Sequence, residues 1–102
     1  MKIVTISEAR RFSLESVQYR ELATVPGLSA ELICFEAGQV AAARTSTGAT
    51  TYQVLEGEAM VRAEGDTSRL GKGRLASVQG GVEHTIENAG GGLLVVLAIS
   101  AS

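Results

Sequence analysis

Five side chains in this 102-residue sequence have types and spacings that suit chemistry: Arg44, Ser46, Thr50, Tyr52 and the single histidine, His84. The first four lie in GQVAAARTSTGATTYQVLEG, two or four residues apart. In an extended chain that spacing puts them on one face. A guanidinium fork beside hydroxyl donors suits a carboxylate or phosphate ligand. An imidazole acting as general base, with a phenol as proton donor, suits proton transfer. A serine nucleophile is poorly supported, because Ser46 has no base and orienting group beside it in the sequence. The one cysteine, Cys34, excludes an intrachain disulfide and any CxxC site, and within LICF it reads as a small buried hydrophobe.

Such side chains need a scaffold, and the totals allow one small domain with a single core. Hydrophobic residues make up 45%, too many for a disordered chain. The formal net charge is -2, and the only basic cluster is Arg10-Arg11. Neither a phosphate-binding stripe nor, with four aromatics, a base-stacking platform is present, so nucleic acid is not an expected partner. The apolar patch in MKIVTISEARRF is too short for a signal peptide. The longest apolar run, Leu93 to Ile99, falls far short of the roughly 20 residues of a membrane helix. The expectation is a soluble, cytoplasmic protein with no membrane partner.

The elements are short and punctuated by 12 glycines. LSAELICFEA, TTYQVLEG, EAMVRAEG, GRLASVQG, HTIENAG and LLVVLAIS are each of strand length, and several alternate apolar with polar residues. LEGEAMV reads as two strands joined at a tight turn around Glu56-Gly57, and Glu64-Gly65-Asp66 reads as a second turn. AGGGLL reads as a hairpin loop before a fully buried last strand. MKIVTI reads as an opening strand, and SEARRFSLES as a turn or brief helical segment leading to the barrel. Residues 1–25 would then be an N-terminal strand and connecting segment, and 26–102 the barrel core of a single domain. Many short strands with regular glycine turns make an all-β sandwich or barrel.

Two glycine frames make this specific. Gly38 and Gly57 bound a stretch that resembles the first cupin motif, G(X)5HXH(X)3–4E(X)6G. Gly73, Gly81, His84 and Asn88 fall at the intervals of the second, G(X)5PXG(X)2H(X)3N, and Leu70 resembles the apolar residue that leads into it. The resemblance covers about half the chain and implies a jelly-roll (double-stranded β-helix) cupin barrel of the conserved-barrel type. It departs from the family at the metal ligands. Arg44 and Ser46 stand where the first two histidines belong, and Thr50 where the glutamate belongs. Arg74 and Gln79 also differ, at positions where aspartate and proline are common. A metal site needs about three protein ligands, and arginine brings a fixed cation to the place the ion would take. No metal and no cofactor is expected.

The resemblance implies that Arg44, Ser46, Thr50 and His84 point into the barrel near its wider mouth. Parity adds Tyr52 and Val54 to the side of Thr50, and Ile86 and Asn88 to that of His84. The favoured expectation is therefore a pocket for a small anionic or polar molecule, formed by Arg44, Ser46, Thr50, Tyr52 and His84. The plain alternative gives Arg44 an acid partner such as Glu36 or Glu83, or a head in water, and makes the other residues remnants of a lost site. Enzyme activity ranks below binding. It would be metal-independent proton transfer through His84, needing a carboxylate within reach of that ring, or a metal-dependent dioxygenase or isomerase. Asn88 is expected to serve a turn or interstrand hydrogen bond. A third class is a structural or sensory dimer. The resemblance implies a homodimer formed by outer faces or by exchange of MKIVTI, with Leu55 at the interface.

Overall fold

A computed structural model describes residues 1–102 as eight strands and one short 3-10 turn at Ile6–Ala9. The strands are β1 (Gln18–Val25), β2 (Leu28–Phe35), β3 (Thr50–Glu56), β4 (Glu58–Ala63), β5 (Asp66–Gly71), β6 (Leu75–Val78), β7 (His84–Asn88) and β8 (Leu94–Ala101). They form a five-stranded sheet, β1-β2-β8-β3-β6, facing a three-stranded sheet, β5-β4-β7. All the pairings are antiparallel. This is the expected all-β jelly roll. No helix is long and apolar enough to cross a membrane.

Alternation builds the inner face. In β3, Thr50, Tyr52 and Val54 are buried while Thr51 and Gln53 are less so, and in β7 His84, Ile86 and Asn88 behave likewise. Side chains from both sheets interdigitate in one cluster that includes Ile33, Phe35, Tyr52, Val54, Val61, Ile86, Leu94 and Val96. A smaller cluster sits on the outer face of the five-stranded sheet, where Ala9, Leu22, Leu32, Cys34 and Val95 pack together. Ile6, Phe12 and Leu55 close over it, and Arg10 pairs with Glu56 at 2.7 Å. Cys34 is 1% exposed, so the small-hydrophobe reading holds.

Several expectations are corrected. The first strand is Gln18–Val25, not MKIVTI: residues 1–5 have no strand partner, and Ile3 is 84% exposed. Apolar alternation makes a strand only where a sheet edge accepts it, and here the chain instead anchors through Ala9. The strand at 18–25 pairs with β2 along its length, so it belongs to the barrel sheet, and position 26 lies in the turn that joins them. LEGEAMV is not a hairpin, because β3 and β4 belong to different sheets and Gly57 turns the corner between them. AGGGLL likewise connects sheets, since β7 pairs with β4 whereas β8 lies between β2 and β3. The last strand is buried at Leu94–Val96 but exposed at Ile99. The turn at Glu64-Gly65 does close a hairpin, with φ of 53° and 79° and Ala63 opposite Asp66.

Two bulges set what reaches the mouth of the barrel. In β1 the register shifts between Glu21 and Ala23, which leaves Leu22 for the outer cluster. Before the shift, Tyr19 lies opposite Ile33 and Glu21 opposite Glu31, on the inner parity. In β3 the shift between Val54 and Glu56 frees Leu55 to pack outward.

Candidate functional site: an arginine-closed barrel mouth

Arg44 lies outside the named strands but is tied to the start of β7. Its N–H donates to the His84 carbonyl at 2.9 Å, and the His84 N–H returns the bond at 3.0 Å. That exchange brings the first frame's Arg44 against the second frame's His84. Tyr52 reaches the same point from β3, with its hydroxyl 2.6 Å from His84 Nε2 and the two rings edge to face. His84 Nδ1 lies 2.9 Å from the Val82 carbonyl. A carbonyl only accepts, so Nδ1 carries the proton. In the neutral imidazole Nε2 then accepts from the Tyr52 O–H.

Burial pushes the Tyr52 phenol above its ordinary value of 10.0, against the opposing positive charge of nearby Arg44. The folded state therefore keeps that proton where an unfolded chain would release it. The sign follows from linkage: the stability contributed by Tyr52 is complete below pH 10 and is lost as pH rises through the folded value. Denaturation monitored by tyrosine absorbance should show stability falling above about pH 10, and less steeply in Tyr52→Phe. Equal slopes in the two proteins would contradict this assignment.

Arg44 does not meet Glu36 or Glu83, the acids expected from sequence. Its Nη1 donates to Glu31 Oε1 at 2.5 Å, and its guanidinium lies 5.3 Å from the centre of the Tyr19 ring. Burial opposes the Arg44 charge, but the Glu31 hydrogen bond and charge more than offset it, so the guanidinium is held above its ordinary range. Tyr19, like Tyr52, is pushed upward by burial. Glu31 was legible in principle, since it alternates with Ile33 and Phe35 in LSAELICF. Tyr19 was not, because only the β1–β2 register places it there.

Of the five expected pocket residues, Arg44, Tyr52 and His84 come together. Thr50 is buried but hydrogen-bonds Ser100 at 2.9 Å, and Ser46 lies on the outer side of Arg44. Inside the barrel, between Tyr52, His84 and Arg44, the remaining cavity is about 10 Å³, no more than one water molecule needs. A separate open groove of about 370 Å³ runs past His84 along Arg62 to Thr67 and Glu83. Every buried side-chain nitrogen and oxygen has a partner. On the other side of Arg44 the space is larger. An open groove of about 430 Å³ is lined by Glu21, Ser29, Glu31, Arg44, Ser46 and Ser100 among others. Asn88 serves structure as expected, bonding the Glu36 and Gly92 carbonyls and accepting from Gly90 N–H.

The cupin domain family model matches residues 31–100, and that match decides the family. This chain belongs to the cupin domain family. The cupin barrel is similar to the protein TT1209 from Thermus thermophilus, with 22% identity, a TM-score of 0.91, and 99% and 97% of the two chains covered. It is also similar to an RmlC-like cupin from Desulfovibrio desulfuricans, at 21% identity and TM-score 0.87, over 99% and 96% of the chains. A double-stranded β-helix protein from Klebsiella pneumoniae gives 20% and 0.89, over 99% and 90%. At these identities the likeness concerns fold. No curated protein matches the chain in sequence.

A family metal does not fit this cupin's residues. Both ring nitrogens of His84 are engaged in hydrogen bonds, Arg44 stands beside it, and Thr50 is bonded to Ser100. Nowhere do three His, Cys, Asp or Glu side chains converge as a metal needs. No carboxylate hydrogen-bonds His84 either; its ring is held by the Tyr52 phenol and the Val82 backbone carbonyl.

Proposed function

We propose that this cupin is a binding module which holds a small polar molecule in the open groove at the barrel mouth, without a metal. One observation carries the reading. The half-exposed Arg44 fork, with only one of its N–H groups given to Glu31, borders a groove of about 430 Å³, whereas the space behind it is about 10 Å³. That contrast in space favours the groove over the interior pocket that the sequence suggested. A proton-transfer enzyme is less well supported, because Tyr52 occupies the acceptor nitrogen of His84 and no acid orients the ring.

The test is a fragment screen by amide chemical-shift mapping. Hits are expected to move resonances of Ser29, Arg44 to Thr47 and Ser100. Arg44→Ala should weaken those hits at least about tenfold, the loss of one charge-assisted hydrogen bond. The partly exposed Arg44–Glu31 pair should contribute only about 1 kcal/mol to stability. Hits that map elsewhere, or that bind Arg44→Ala unchanged, would overturn the reading.

A homodimer is a second proposal, supported by the outer face of the five-stranded sheet. Leu28, Leu75 and Ile99 are exposed there, and the cross-strand register places uncharged Ala30, Thr51 and Gln53 among them. Leu55 is a poorer interface candidate than expected, because it packs into the chain's own outer cluster. Light scattering should give twice the 10.6 kDa chain mass, and Leu75→Arg should shift it toward the monomer. A monomer at high micromolar concentration would rule the dimer out.

A further inference from the structure

The groove's charges do not balance, and the imbalance points to the class of ligand. Glu21 and Glu31 face each other directly across β1 and β2. Both line the groove, and Arg44 is the only cationic side chain along it. Two carboxylates directly opposite each other on one face of an antiparallel pair repel. Arg44 answers Glu31 through one nitrogen, whereas Glu21 accepts only the Thr24 hydroxyl, at 2.6 Å. A simple anion would add a third negative charge. A simple amine would offset the excess carboxylate but leave the remaining Arg44 donors unused.

We infer that the groove takes a small zwitterion, an amino acid or similar molecule. Its ammonium lies between Glu21 and Glu31, and its carboxylate meets the free donors of Arg44. The hydroxyls of Ser29, Ser46 and Ser100, which line the same groove, complete the polar surface. This inference rests on the groove being the binding site, but it replaces the anionic preference that the fixed arginine alone would suggest. The chemistry of each contact is that of a charge-assisted hydrogen bond. Selectivity comes from repulsion of anions by the paired glutamates as much as from attraction of the ammonium.

The experiment is an amide chemical-shift titration at constant ionic strength with glycine, β-alanine and 4-aminobutyrate. Butyrate and butylammonium serve as probes of one charge only. At least one of the zwitterions should move the Glu31, Arg44 to Thr47 and Ser100 resonances with a Kd at least about tenfold below either control, one charge-assisted contact's worth. Glu21→Gln, an exposed substitution that leaves the core untouched, should remove most of that advantage over butyrate. Butyrate or butylammonium binding in the groove as tightly as every zwitterion would overturn the inference and leave the binding site standing. The inference falls in the same way if Glu21→Gln binds the zwitterion unchanged. If none of the five probes moves the groove resonances while other fragments do, the ligand class is wrong. If no fragment moves them, the binding site is wrong as well.

Discussion

Gly57→Ala is expected to destabilise the barrel by about 3 kcal/mol or more, a large share of the roughly 5–15 kcal/mol that holds a small domain together. Gly57 has φ of +88°, where an L side chain is strained. A Cβ added there would also lie 2.3 Å from the Leu93 carbonyl oxygen and 3.1 Å from Leu94 Cα. Both obstacles are backbone, so no side-chain rotation can relieve them. Leu93 and Leu94 lead into β8, the strand between β2 and β3 in the larger sheet. Displacing them disturbs the strand that carries Leu94 and Val96 into the core. Thermal unfolding should fall by roughly 15 °C, whereas Gly91→Ala, where the added carbon meets nothing within 4 Å, should change stability by less than about 1 kcal/mol. Equal behaviour of the two variants would show that the corner between the sheets is not built as described.

The second large effect concerns Tyr52. It is 2% exposed and fills the space between the Arg44 lid and the inner core. Tyr52→Ala should cost about 4 kcal/mol, through lost burial and the cavity left behind. Tyr52→Phe keeps the ring but strips His84 Nε2 of its hydrogen-bond partner, at a cost of about 1–3 kcal/mol for an orphaned buried acceptor. The pair can be tested as a cycle. Adding His84→Leu to Tyr52→Phe removes both polar partners, so the double variant should be at least about 1 kcal/mol more stable than the sum of the single losses predicts. Strict additivity in chemical denaturation would mean that the two side chains do not depend on each other.

This cycle also separates two roles for His84. As a packed, hydrogen-bonded interior residue it should matter for stability and little for binding in the groove, which lies on the other side of Arg44. As a general base it would need a free acceptor nitrogen facing substrate, and Tyr52 holds that nitrogen.

Much of the architecture was legible because the period of two in a strand is a local property. Thr50, Tyr52 and Val54, and His84, Ile86 and Asn88, declare a common face by spacing alone, and the burial of those residues follows it. The two glycine frames named the barrel, and Arg44, Ser46 and Thr50 stand at the positions where the resemblance places metal ligands. The sequence could not say which strands pair. LEGEAMV has the signature of a hairpin, yet at Gly57 the chain passes from one sheet to the other, a distinction made by non-local pairing of β3 with β8 and of β4 with β7.

The partner of Arg44 was hidden for the same reason. Glu31 is 13 residues away in sequence and reaches the barrel mouth because β2 lies beside β8 and the Glu21 register holds as far as the bulge. Whether the inward polar residues enclose a pocket or a filled core is a question of volume, and volume depends on how both sheets close on Tyr52 and His84. By itself, then, the sequence determined the fold class and the inward face. Only the tertiary structure decided that Arg44 pairs with Glu31, that almost no space is left between Tyr52 and His84, and that an open groove lies on the other side of the arginine. Parity is written residue by residue, whereas register, bulges and cavity volume arise only when distant strands meet.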